Sequence, residues 1–88
     1  MNDFESVIIL KKNCTDEDMK KLLNECNELM NNPTFEDWGM KKLAYPIKNE
    51  AQGHYIIFNF KIENEKIDKI EEYLTNNEMV LKYIVVKK

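Results

Sequence analysis

One histidine, two cysteines, two glycines and two prolines are all that the 88-residue chain holds of the residues that most often mark metal sites, nucleophiles and phosphate loops. Cys14 and Cys26 are not a close Cys-x-x-Cys pair, and a single histidine adds too few ligands for a structural zinc site. The two thiols could in principle form one disulfide. The favoured reading in a reducing compartment is a buried Cys26 on a helix stripe and an incidental Cys14 before it. Gly39 and Gly53 are isolated, so no glycine-rich loop cradles a phosphate. No apolar run approaches the roughly 18 residues that a membrane span needs, which excludes a helical membrane class. The start, Met1-Asn2-Asp3-Phe4-Glu5, has neither the basic region nor the apolar core of a secretory signal, so the expected address is the cytoplasm or an organelle interior. A formal charge of −3 excludes a strongly electropositive shell. A local basic patch can still act inside an acidic whole.

Catalytic constellations are also missing. His54 has no nucleophile or orienting carboxylate at a recognisable spacing and is expected as a surface or packing residue. Glu36-Asp37 and Glu71-Glu72 are neighbours in sequence, and such neighbours diverge on a strand or helix rather than converging on one proton. No catalytic residue, cofactor site or metal site is therefore expected, and the chain reads as a binding protein, not an enzyme.

What is present is regular. Phe4–Leu10 is a β-branched apolar run that predicts an interior strand. Thr15 is a candidate N-cap followed by the acids Asp16, Glu17 and Asp18. Met19, Leu22, Leu23, Cys26, Leu29 and Met30 then recur at helical spacing until Asn31-Asn32-Pro33 stops the helix. Thr34–Ile47 predicts an extended segment interrupted near Gly39, and Pro46 assigns it to a sheet edge because proline cannot donate to a ladder. Lys48–Gly53 reads as a hairpin connection. Tyr55–Ile62 is the strongest strand, with Ile56, Phe58, Phe60 and Ile62 on one face and Tyr55, Ile57, Asn59 and Lys61 on the other. Asn64 is the expected cap of a second helix with Ile67, Ile70, Tyr73 and Leu74 on its apolar side. Asn76-Asn77 ends that helix, and Met79–Val86 closes the pattern as a strand.

The order strand, helix, strand, strand, helix, strand predicts one α+β domain over residues 1–88. Its helices lie side by side on one face of a four-stranded antiparallel sheet, the ferredoxin-like split βαβ arrangement. Right-handed crossovers put the first and third strands in the centre and the second and fourth at the edges. Phe58 and Phe60 fall on the core face, so base stacking across the sheet, as in RNA-recognition modules, is not expected. The segment Trp38–Pro46 is more suggestive: a tryptophan, a glycine and paired lysines on an open edge suit RNA or an added protein strand. It equally suits a tryptophan anchoring a loop while lysines keep the edge soluble. Charge is uneven: residues 3–28 carry most of the acidic excess, Lys41, Lys42 and Lys48 mark the middle, and residues 82–88 hold three lysines and no acid.

The run Glu36-Asp37-Trp38-Gly39-Met40-Lys41-Lys42-Leu43-Ala44-Tyr45-Pro46-Ile47 resembles the characteristic segment of the bacterial-type small-subunit ribosomal protein S6 family. The likeness continues through Phe4-Glu5, Gly53-His54-Tyr55, Asn59-Phe60, Asn77-Glu78, Val80-Leu81-Lys82 and Val85-Val86-Lys87. This resemblance implies a structural constituent of the cytoplasmic small ribosomal subunit. Its implied partners are the central domain of 16S ribosomal RNA and small-subunit ribosomal protein S18. It further implies that Phe4, Trp38, Lys41, Lys42, Tyr45, Lys82 and Lys87 lie at the RNA or partner surfaces. Met40 stands where the family is often basic and Thr75 where it often has arginine, which implies fewer phosphate contacts and more dependence on a basic partner. The alternative is a diverged ferredoxin-like regulatory or protein-binding domain without ribosomal RNA binding.

Overall fold

A computed structural model describes residues 1–47 and 49–88. The chain runs β1 (Asn2–Lys11), α1 (Asp16–Leu29), β2 (Thr34–Ile47), β3 (Glu50–Ile62), a 3₁₀ turn (Asn64–Lys66), α2 (Ile67–Asn76) and β4 (Val80–Lys87). The four strands form one antiparallel sheet in the order β2-β3-β1-β4, so β1 and β3 are central as their dense apolar runs require. This is the ferredoxin-like α+β arrangement expected from the sequence.

Local chemistry sets the ends of α1. The Thr15 hydroxyl accepts from the Asp18 N–H at 3.1 Å, and the Asp18 carboxylate accepts from the Thr15 N–H at 3.2 Å, a reciprocal capping box. At the other end Asn31 and Asn32 both take the left-handed conformation, φ 57°, which asparagine tolerates better than most residues, and Pro33 prevents resumption. The second helix starts differently from expectation. Asn64 opens the 3₁₀ turn instead of capping α2, and its side-chain oxygen accepts from the Asn2 amide at 2.9 Å. Neither the turn nor α2 has a side-chain cap, so α2 is held chiefly by its buried Ile70 and Leu74.

Both helices lie on one face of the sheet. Phe4, Ile8 and Leu10 of β1 and Ile56, Phe58, Phe60 and Ile62 of β3 meet Leu22, Cys26 and Met30 beneath α1 and Ile70 and Leu74 beneath α2. The register pairs Phe4 with Phe60 and Ile8 with both Ile56 and Tyr83, which stacks apolar residues in rows across the sheet. Cys26 is fully enclosed. Burial first, and the nearby Glu25 charge second, push its thiol up to about 12, so it acts as a small apolar group and not as a nucleophile. Cys14 is half-buried, and both thiols are free.

The β2–β3 hairpin is tighter than the sequence pattern suggested. Glu50 to Gly53 belong to β3 rather than to the connection, and Asn49, at φ 66°, takes the left-handed turn position; Lys48 lies outside the described residues. Gly53 is buried because a Cβ there would stand 2.5 Å from the Ile9 side chain and 3.3 Å from the Leu10 carbonyl. Its missing side chain lets β1 and β3 stay paired to the end of Lys11.

One core position is polar. Ser6, between Phe4 and Ile8 on the helix side of β1, is wholly buried and its hydroxyl has no hydrogen-bond partner. An unpaired buried hydroxyl costs about 1–3 kcal/mol. Ser6→Ala is therefore expected to leave the protein as stable or to raise its urea midpoint at unchanged m-value. Phe58→Ala in the same row should cost about 3–5 kcal/mol. A clear loss of stability in Ser6→Ala would mean that the hydroxyl is bonded in solution.

Candidate nucleic-acid interface

β2 and β4 are the two edges of the sheet, and two irregularities shape β2. Asp37 pairs with Ile56 and Gly39 with Tyr55, so Trp38 is an extra residue with no partner across the ladder. Gly39 supplies the φ of 75° that the bulge needs. Asp37 locks it: its carboxylate accepts from the Gly39 N–H at 2.9 Å and meets the His54 ring at 2.5 Å. The second irregularity lies between Lys42, opposite Gln52, and Ile47, opposite Glu50. There Leu43, Ala44, Tyr45 and Pro46 face a single β3 residue, Ala51, and the strand bows outward. Pro46 tolerates this because an edge position asks nothing of its absent N–H.

These features turn side chains outward. Trp38 is 51% exposed, with its indole N–H donating to Glu36 at 3.3 Å and the Lys41 ammonium 5.7 Å from the ring centroid. Trp38 therefore does not anchor a loop to the core. Tyr45 is 82% exposed, and Lys41 and Lys42 are exposed on the same strand. Four of the seven residues singled out in the sequence, Trp38, Lys41, Lys42 and Tyr45, thus share one edge. Lys82 is exposed on β4, opposite Ile9, in the cross-strand row Lys82, Ile9, Tyr55 and Gly39. It sits about 14 Å across the sheet from the β2 edge, three strand spacings away. Lys87, opposite Phe4, is exposed at the far end of β4. Phe4 is buried, its ring stacked on Phe60 at 5.6 Å, and so contributes to the core rather than to the exposed edge.

Two surfaces escaped the sequence reading. The sheet face away from the helices is apolar in its middle: Val7, Ile9 and Ile57 run into Ile84 and Val86, which are 47% and 49% exposed. The i, i+2 spacing of Val7 and Ile9, and of Ile84 and Val86, was the available signal. A cleft of about 590 Å³ also opens where β1 begins and β3 ends. Its walls include Asn31, Asn32, Thr34, Asn59, Lys61 and Lys88, which no local pattern brings together. Among the described residues, no three histidine, cysteine, aspartate or glutamate side chains converge on a metal-sized site, and no helix is long and apolar enough to cross a membrane.

Charge is divided between the two layers. Residues 16–29 hold five acids and two lysines, and residues 63–76 hold five acids and two lysines, so the helical layer carries −6 of a chain total of −3. The remainder, largely sheet and hairpins, is net +3. Every cation is lysine, for the chain has no arginine. Its phosphate contacts would be those of mobile point charges, without a bidentate guanidinium fork.

A sheet covered on one face only, with a lysine–aromatic edge and an apolar open face, defines a ferredoxin-like binding domain. The comparisons narrow the class. The family model for ribosomal protein S6 matches residues 3–87. The small ribosomal subunit protein bS6 of Fusobacterium nucleatum is 36% identical, the match covering 99% of this chain and 98% of that protein. The bS6 of Phocaeicola vulgatus is also 36% identical over 99% of this chain and 81% of its own length. The crystal structure of 30S ribosomal protein S6 from Thermotoga maritima superposes with a TM-score of 0.90 over 99% of this chain and 87% of that one. At 19% identity it speaks for the fold alone. The chain belongs to the ribosomal protein S6 family, a family of the small ribosomal subunit.

The Asp37 lock has a pH signature. Burial pushes the Asp37 carboxyl up, but the His54 hydrogen bond and the Gly39 N–H outweigh it and hold the group below its ordinary 3.8. A lowered folded value means that the lock's stabilisation is complete above the ordinary value and is lost as pH falls through the lower, folded one. Wild-type urea midpoints should therefore drop between about pH 5 and pH 2, and Asp37→Asn should flatten part of that acid limb. Superimposable acid limbs for the two proteins would remove Asp37 from the account.

Proposed function

We propose that this chain is a structural component of the cytoplasmic small ribosomal subunit that binds the central domain of 16S ribosomal RNA together with small-subunit ribosomal protein S18. The observation that carries the reading is the β2 edge, where the family's characteristic segment leaves Trp38, Lys41, Lys42 and Tyr45 exposed along one strand. Lysines neutralise phosphates and exposed aromatic rings stack on unpaired bases, so this edge suits the irregular parts of a folded RNA. Lys82 and Lys87 add cations on β4. The open face, through Ile84 and Val86, offers an apolar surface suited to a protein neighbour. The role is structural and calls for no turnover.

The acidic total explains why a second protein matters. A chain of net −3 gains little from long-range attraction to a polyanion, whereas a basic protein docked on the open face adds the missing positive field. Titration of a 16S central-domain fragment should give saturable binding that is much tighter with S18 than without it. Absence of binding in both conditions by folded protein would overturn the proposal.

Two substitutions divide the surfaces. Lys41→Glu with Lys42→Glu should weaken RNA assembly with native circular dichroism. The slope of log K against log salt should shrink by roughly 0.7–0.9 for each phosphate that the variant no longer neutralises. Unchanged affinity would clear the edge of any role in RNA binding. Ile84→Glu with Val86→Glu should weaken association with S18 measured in the absence of RNA, and full retention of that association would remove the open face from the interface.

A further inference from the structure

We propose that the cleft between the α1–β2 loop and the starting end of β1 is a subsite for one unstacked ribonucleotide, separate from the β2 edge. The proposal rests on the RNA-binding reading and deepens it. The cleft, about 590 Å³, falls within the roughly 300–1,000 Å³ typical of small-molecule sites. Its lining is unusual for this molecule: the amides of Asn31, Asn32 and Asn59 and the hydroxyl of Thr34 gather in one concavity with the ammonium groups of Lys61 and Lys88. Neutral amides and hydroxyls both donate and accept, as the edges of a base and a ribose 2′-hydroxyl require. Lysines suit the attached phosphate.

The arrangement is partly built before any ligand arrives. Thr34 and Asn59 face each other across the β2–β3 ladder, with the Thr34 hydroxyl 3.5 Å from the Asn59 carbonyl oxygen. The Lys88 ammonium donates to the Asn59 side-chain oxygen, which lays it along the cleft. The left-handed pair Asn31 and Asn32 fixes the opposite wall, and the Asn32 N–H donates to the Asn27 carbonyl at 3.0 Å. Asp3 is the one acid in the lining. It lies 3.8 Å from Lys61 and leaves the side chains of the cleft net positive through Lys88.

Position supports the assignment independently. None of the residues that line the cleft belongs to the segments 16–29 and 63–76, which carry −6 of the chain's charge. Thr34 and Lys41 are seven residues apart on β2, so the cleft and the lysine–aromatic edge stand about 20 Å apart along one strand. One RNA can engage both: the edge by charge and stacking, the cleft by hydrogen bonds to a single splayed base.

The test uses the whole chain, with two readouts. Adenosine, guanosine, cytidine and uridine 5′-monophosphates are titrated separately while the side-chain amide signals of Asn31, Asn32 and Asn59 are followed by NMR. Saturable shifts of these amides, differing among the four bases, are expected. Inorganic phosphate alone should leave them largely unmoved. The same shifts with phosphate and with every nucleotide would mean an anion contact only and overturn the proposal. In the second arm, Thr34→Val and Asn59→Ala are each compared with wild type in the assembly with S18 and the 16S fragment. Loss of about tenfold in affinity is expected, as for removal of one or two hydrogen bonds. If these variants bind like wild type while the Lys41, Lys42 double variant weakens, the cleft falls and the ribosomal reading stands. If wild-type protein binds no RNA at all, that reading fails, and base-dependent amide shifts would then mark the cleft as a site for free nucleotides instead.

Discussion

Two helices can cover only one face of a four-stranded sheet, and much of this protein follows from that geometric shortage. Leu22 and Cys26 from α1, Met30 just after it, and Ile70 and Leu74 from α2 fill the space above Ile8, Leu10, Ile56 and Phe58. Among the described residues nothing equivalent lies on the other side. There Ile9 and Ile57 are kept to 8% exposure by their own neighbours in the sheet, including Leu81 packed beside Gly53. Ile84 and Val86, nearer the β4 edge, have no such cover. The surfaces available for recognition are the ones the helices cannot reach: the open face, the β2 edge and the cleft at the end of β1. The run Ile8, Ile9 and Leu10 departs from the alternation that a one-sided sheet favours, and Ile9 is accommodated because Gly53 and Leu81 pack around it on the open face.

Electrostatics sharpens the division. An acidic protein is a poor ligand for RNA if its charge is spread evenly, because every lysine contact is opposed by nearby carboxylates. Here the carboxylates concentrate in the helices. Asp16, Glu17 and Asp18 also serve α1 by lying at the positive end of its dipole, so the acidity has a local structural use as well as a global consequence. The sheet side is left with a modest positive excess carried wholly by lysine. That excess lies on strands and loops, away from the acidic helices.

Most of the fold was legible because its signals are local. Thr15 and Asp18 are three residues apart, the α1 stripe repeats within one helix, and the alternation of Ile56, Phe58, Phe60 and Ile62 names its own core face. Asn64 was misread for a physical reason: its side chain is taken by Asn2, 62 residues away, and a distant bond of that kind has no sequence signature. The reach of β3 back to Glu50 was hidden because Gln52 and Gly53 are turn-like in composition, although Gly53 is there to admit Ile9. Phe4 was expected at a contact surface, but an aromatic on an alternating strand can face either way, and its stacking on Phe60 puts it inside.

The sequence by itself determined the element order, the capping of α1, the edge position of β2 and the membership of the S6 family. All of these rest on residues close together in the chain or on a contiguous motif. Only the tertiary structure decided that Trp38 stands outside the ladder, since the bulge depends on Asp37 meeting His54 from the neighbouring strand. It alone revealed the apolar open face, which needs β1, β3 and β4 in register. It alone gathered Asn31, Asn59 and Lys88 around one cleft. Periodicity and propensity are properties of a segment, whereas a surface is a property of segments brought together, and the register that brings them together is set by packing of the whole core.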